Sequence, residues 1–143
     1  SVEIRKEFQA VPKIQCSPSQ INQVFLNLIN NAAQAMEGRA EKGLITLRTL
    51  PEGEDMVRVE VQDNGSGIPA DVLPRIFDPF FTTKDIGKGT GMGLSISFKI
   101  IEQHGGKILV DSEPGSGTVF SILLPVRAKV EAAVLMDDQL EMA

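Results

Sequence analysis

Val61-Gln62-Asp63-Asn64-Gly65-Ser66-Gly67-Ile68 is the stretch on which the reading of this chain turns. Apolar and polar residues alternate into Asp63, as in a strand with one covered face, and a glycine turn follows at once. A carboxylate at the end of a buried strand can accept a hydrogen bond from an exocyclic amine, and neighbouring glycines let the backbone approach a flat ring. Adenine offers that donor, where guanine presents a carbonyl. Taken alone the same letters also fit a plain hairpin, because Asn-Gly is a strong turn signal. A calcium loop is rejected: its third position would be Gly65 and its twelfth Pro74, neither of which supplies a side-chain oxygen. Gly65-Ser66-Gly67-Ile68-Pro69-Ala70 formally meets a dinucleotide fingerprint. The chain has a single candidate unit, however, and the acid about twenty residues on, Asp85, falls in a loop rather than at a strand end.

Downstream comes Ile76-Phe77-Asp78-Pro79-Phe80-Phe81 and then a second glycine run, Gly87-Lys88-Gly89-Thr90-Gly91-Met92-Gly93-Leu94. A helix begins directly after these glycines. Successive free amides at a helix start attract anions, and the helix dipole adds to the effect. Lys84 and Lys88 stand in the same loop as phosphate partners, and the glycines give it the mobility that a lid requires. A plain flexible loop is the alternative for this segment. Gly87-Lys88 is followed by Gly89, where a Walker motif needs Ser or Thr. Phe77, Phe80 and Phe81 precede the loop and are placed to anchor its hinge, in the core or in a partner groove.

Upstream, Ser17-Pro18-Ser19-Gln20 announces a helix: Ser17 caps, Pro18 takes the first helical position, and Gln20 stands where a capping box requires. Ile21, Val24, Phe25, Leu28, Ile29 and Ala32 form the buried stripe of a helix running to about Met36. Asn27, Asn30 and Asn31 lie within it, and Asn27 and Asn31 project from one side, a turn apart. Asparagine is a weak helix former, so the cluster costs stability unless something offsets it. Amide oxygens are hard donors of the kind magnesium accepts together with phosphate oxygens and water. A solvated polar face is the competing account.

The remaining segments supply a sheet. Val2 to Phe8 alternates and reads as an antiparallel strand with one wet face, and Val11 to Ile14 reads as a turn into a short second strand. Leu44–Leu50 and Met56–Val61 form a hairpin around Pro51 to Asp55. Pro69 to Ile76 is long enough for a short helix, and Gly93 to His104 is helical up to Gly105-Gly106. Lys107–Asp111 and Thr118–Leu124 form a second hairpin around Glu113 to Gly117, and Pro125 stops the sheet. The order predicts a two-layer α/β sandwich, a mixed sheet of about five strands with helices on one face.

At 143 residues the chain fits one domain. Fourteen basic against nineteen acidic residues leave a net charge of −5, which disfavours general nucleic-acid binding. The lone Cys16 rules out an internal disulfide or a cysteine zinc site and suits a reducing compartment. No segment is apolar for long enough to span a membrane. The first residue is Ser1 rather than Met, so the piece is expected to derive from a longer protein. Residues 1–126 are expected to form the domain, and Arg127 to Ala143 a helix, linker or disordered tail. His104 sits at a helix end before two glycines, where a capping or surface role is expected.

Taken together, Asn27 to Ala32, Asp63 to Ile68, Phe77 to Phe81, Gly89 to Leu94 and Gly115 to Thr118 resemble the N, first glycine, F, second glycine and last boxes of one family. It is the catalytic, ATP-binding domain of bacterial sensor histidine kinases, a Bergerat-type fold shared with DNA gyrase and mismatch-repair ATPases. Phe80-Phe81-Thr82-Thr83-Lys84 is similar to the nitrogen-regulatory and oxygen-sensing kinases. The resemblance implies an ATP site built from Asn27, Asn31, Ala35, Asp63, Gly65, Gly67, Ile68, Phe77, Thr83, Lys84, Lys88, Gly89, Thr90, Gly91, Met92, Gly93, Leu94 and Thr118. Asn27 and Asn31 would hold magnesium, with Lys84 as a further catalytic residue, and Thr118 would support a water beside the base. Gyrase-like members carry a Glu, a base for water, where this chain has Asn27. Phosphoryl transfer is therefore expected in place of hydrolysis.

The acceptor histidine would lie on a separate dimerisation domain of the same full-length homodimer, since His104 matches the end of the post-lid helix. A response regulator would be the downstream partner and the cytoplasm the compartment. An anti-sigma-type serine kinase on the same fold and a non-catalytic nucleotide-binding module are the rival readings.

Overall fold

A computed structural model describes residues 2–38, 41–79 and 93–127. Five strands and two helices follow in the order β1 (Val2–Phe8), α1 (Pro18–Ala35), β2 (Gly43–Glu52), β3 (Met56–Asp63), α2 (Gly93–Gln103), β4 (Lys107–Glu113) and β5 (Gly117–Pro125). The sheet order is β1-β2-β3-β5-β4. Both helices lie on one face, as the two-layer reading requires.

Alternation decides which face is covered. Ile45, Val61, Phe120, Ile122 and Ile108 point inward and meet the apolar stripe of α1, where Ile21, Val24, Leu28 and Ala32 are buried. Phe25 and Ile29 flank that stripe and are only partly covered. From α2, Ile100 and Ile101 complete the core. The opposite face is polar: Arg48 bonds Glu7 at 2.8 Å and Gln62 at 2.6 Å, and Arg58 bonds Glu52 at 2.8 Å.

Four local expectations are corrected. β1 pairs parallel, not antiparallel, with β2, in the register Ile4 to Ile45. Its connection to β2 passes through α1, and a crossover returns the chain in the same direction. All seven residues of β1 are exposed despite their alternation, Phe8 by 60%. Residues 9–16 form no strand; isolated bonds from Gln9 N–H to Thr49 O and from Gln15 N–H to Val126 O tie them down. Pro12, with no N–H, breaks the ladder there. Residues 69–76 form a turn, in which the Val72 and Leu73 N–H groups donate to Pro69 O, and a 3₁₀ helix, Leu73–Arg75, but no α-helix, because Pro74 removes a donor and its ring clashes with the preceding turn.

The fourth correction concerns the start of α1. Ser17 occupies the N-cap and Pro18 the first turn, yet Ser17 makes no side-chain cap bond. In a capping box Gln20 would accept the Ser17 N–H. Here His104 Nε2 accepts it at 3.0 Å. The Ser17 hydroxyl and the Gln20 side-chain oxygen are buried without hydrogen-bond partners.

Candidate active site

Asp63 ends β3 opposite Thr118 of β5 and Ile45 of β2, in the middle of the sheet rather than at an edge. Only 4% of it is exposed. Its Oδ1 accepts the Gly65 N–H at 2.8 Å, which curls the turn back onto the carboxylate. The Asn64 side chain staples the turn to the start of β2: its oxygen accepts the Leu44 N–H at 2.8 Å and its nitrogen donates to Lys42 O at 3.1 Å. The hairpin account of Asn64-Gly65 is thereby excluded. Both strands that pair with β3 are already placed, and the next strand in the chain, β4, lies at the far edge.

Close approach explains the glycines. A Cβ on Gly67 would stand 2.2 Å from Glu113 O, and one on Gly117 would stand 2.1 Å from Asp63 O. On Gly65 it would meet Asp63 Oδ1 at 2.9 Å and Ala35 O at 3.0 Å. The turn after Asp63, the β4–β5 turn and the last residue of α1 thus share one small space. Gly115 N–H also bonds Ser66 O across the two turns. Thr118 is 5% exposed and its Oγ1 lies 2.8 Å from Ser112 Oγ, which also accepts the Ile68 N–H at 2.8 Å. Ser112 belongs to none of the motifs and went unnoticed in the sequence. Its only signal is that it pairs in register with Thr118 once the hairpin is folded.

Asn27, Asn31 and Ala35 recur every four residues on α1 and all three are half-buried. From Ala35, against Gly65, this stripe runs about 12 Å to Asn27 at the rise of an α-helix. Asn27 reaches the first turn of α2. Its Nδ2 donates to Gly93 O and to Ser97 Oγ, each at 3.3 Å, and Ser97 Oγ donates to Gly93 O at 2.8 Å. Gly93 is the first residue of α2, where the second glycine run ends. The solvated-face account of the asparagines fits Asn30, which is exposed, and fails for Asn27.

Phe77 is part of the core surface, its ring 5.3 Å from Phe98 and 6.4 Å from Phe120, the latter edge-on. Ile68 and Leu94 pack partly buried against the same cluster. Thr83, Lys84, Lys88, Gly89, Thr90, Gly91 and Met92, like Phe80 and Phe81, lie outside the described residues.

His104 departs from expectation. It is fully buried, and it caps a helix other than its own. Nε2 accepts the Ser17 N–H, so Nδ1 carries the proton and donates to Ile100 O at 2.8 Å. Gly105, at φ 75°, and Gly106 then close α2: their N–H groups donate to Glu102 O and Ile101 O.

No group of three or more His, Cys, Asp or Glu suited to a metal occurs among the described residues. A cation here would draw on amide oxygens and on the ligand's own oxygens, a donor set that fits magnesium on a nucleotide. The buried carboxylate at the end of β3 is an acceptor that fits an exocyclic amine.

A buried strand-end carboxylate, an asparagine stripe and a glycine run opening a helix, on a five-stranded sandwich, define an ATPase class. Residues 16–128 match the model of the histidine kinase-, DNA gyrase B- and HSP90-like ATPases. The chain belongs to this family, and to its histidine-kinase catalytic domains. It is 45% identical over 121 residues to sporulation kinase E of Bacillus subtilis (strain 168), covering 85% of this chain and 16% of that protein. The solved catalytic domain of histidine kinase ThkA shares 34% identity at a TM-score of 0.73, covering 88% of this chain and 79% of that one. Full-length ShkA in complex with AMPPNP shares 29% at a TM-score of 0.76, covering 93% of this chain and 27% of that one. The chain thus spans about a sixth of sporulation kinase E. No helix among the described residues is long and apolar enough to cross a membrane.

Proposed function

We propose that this domain binds Mg-ATP and donates the γ-phosphoryl group to a histidine on a separate dimerisation domain of the same full-length kinase. The observation that carries this reading is Asp63, nearly fully buried at a central strand end and braced by Gly65. From that floor the stripe Ala35, Asn31, Asn27 leads to Gly93, so base and phosphates have separate walls. Asp63 accepts from the exocyclic amine of adenine, Gly65 and Gly67 shape the pocket by letting its turns approach closely, and Thr118 supports a bridging water. Asn27 and Asn31 are the residues that would hold magnesium, which when bound neutralises charge on the phosphates.

Lys84, Lys88 and the residues from Gly89 to Gly93 are the further phosphate partners in this reading. With Asn27 in place of an acidic base, no side chain on this wall activates water. Orientation and charge neutralisation are then left to favour transfer. The acceptor ring nitrogen forms its bond to phosphorus as the bond from phosphorus to the β–γ bridging oxygen breaks, and ADP leaves. His104 cannot be the acceptor, since both its ring nitrogens are engaged inside the core. The setting is a cytoplasmic two-component system in which a response regulator receives the phosphoryl group from the dimeric kinase.

Calorimetric titration of Mg-ATP, Mg-GTP and NAD into the chain and into Asp63→Asn tests the site. ATP is expected to be preferred, with a loss of roughly tenfold to a hundredfold in the variant, the range of a hydrogen bond to a charged group. Equal binding of ATP and GTP, or an unaffected variant, refutes the adenine assignment. Addition of a helical dimerisation domain and assay for acid-labile phosphate tests transfer.

A further inference from the structure

Ser112 sits beneath the adenine floor with more polar neighbours than one hydroxyl proton can serve. Its Oγ lies 2.8 Å from the Ile68 amide, 3.1 Å from Gly117 O and 2.8 Å from Thr118 Oγ1. Gly117 O only accepts and the Ile68 N–H only donates. Ser112 therefore spends its single proton on Gly117 O and offers its lone pairs to Ile68 and Thr118. It follows that Thr118 donates its own proton to Ser112, which leaves Thr118 as an acceptor alone. Thr118 stands opposite Asp63 in the β3–β5 register, so the two side chains share one face of the sheet. Both are then acceptors.

We propose that Ser112 is a specificity-determining positioning residue, which fixes the Thr118 hydroxyl as an acceptor and so makes the pocket select a 6-aminopurine over a 6-oxopurine. The inference rests on the adenine reading of Asp63 and deepens it. A water that bridges Thr118 and Asp63 donates one proton to each and so turns an acceptor toward the amine. A 6-oxo group meets acceptors only, and buried acceptors facing each other without a proton between them are costly.

Without Ser112, Thr118 is free to rotate and to donate into the pocket. ATP and ITP differ at position 6 of the purine ring, which makes them the matched probes. Titration of each, with magnesium, into the chain and into Ser112→Ala should narrow the preference for ATP by roughly tenfold, the value of one hydrogen bond, with ITP binding unchanged or tighter. Ser112→Thr keeps the hydroxyl and should retain the preference, whereas Thr118→Val should narrow it to a similar extent as Ser112→Ala. Equal weakening of ATP and ITP in Ser112→Ala, or full preference in Thr118→Val, overturns the proposal. If the unaltered chain binds both nucleotides equally, the adenine reading itself fails, and Asp63→Asn will then show no effect either.

Discussion

A methyl group added at Gly117 would stand 2.1 Å from Asp63 O, at a φ of 117° that side chains rarely adopt. Gly115, two residues earlier, also has a positive φ, 86°, but nothing within 4 Å. The two therefore separate backbone strain from steric conflict. Gly115→Ala is expected to cost about 1 kcal/mol, and Gly117→Ala about 3 kcal/mol because overpacking adds to the strain. Urea unfolding measures both, and equal costs would show that the approach to Asp63 is not tight. At this scale Asp63, Asn27, Asn31 and the glycines were legible in the sequence, because each pairs an unusual residue type with a telling position. Ser112 was not. Serine in an exposed-edge strand has no local signature, and its role arises from partners at 44 residues' separation in one case and six in another.

The two helices are tied at both ends of their contact, by Asn27 to Gly93 and Ser97 and by Ser17 to His104. Their mutual placement sets where the asparagine stripe stands relative to the start of α2. His104→Ala leaves the Ser17 N–H without its acceptor and a cavity in its place, and is expected to cost about 3 kcal/mol. His104→Gln should recover part of this, since its amide oxygen can accept near the Nε2 position. Thermal or urea denaturation checks the order. On the open face of the sheet, a hydrogen bond from Arg58 holds the Glu52 carboxyl below its ordinary value of 4.5, and the same pair raises Arg58. A lowered carboxyl stabilises the fold above its unfolded value and loses that contribution as pH falls through the folded value. The contribution of the pair is therefore full above about pH 4.5 and is lost progressively as pH falls from there through the lower value of the folded state. Glu52→Gln should flatten that part of the acid unfolding curve slightly, and high salt should have a similar effect, as for an exposed pair. An unchanged acid limb would show that the pair contributes nothing.

Across the whole molecule, Val126 still ties the chain to the sheet, donating to Asp55 O at 2.8 Å and accepting from Gln15 N–H at 3.0 Å. We propose that the domain ends there and that residues 127–143 form a tail. Removal of residues 128–143 is expected to leave the melting temperature within about 2 °C and ATP affinity unchanged, since a stability change under 1 kcal/mol moves a domain of this size by only a few degrees. A large drop in either would make the tail part of the fold. The sequence by itself determined the two helices, the hairpins, the helix-on-sheet layering and the place of Asp63 at a strand end, because periodicity, glycine turns and a carboxylate at a strand end are local properties of the chain. Only the tertiary structure decided the rest. The direction of β1 follows from the α1 crossover, and the displaced capping box from a histidine 87 residues away. The Ser112–Thr118 pair follows from the register of a folded hairpin. Each depends on which groups the folded chain brings together, and that is undecided until the chain has closed upon itself.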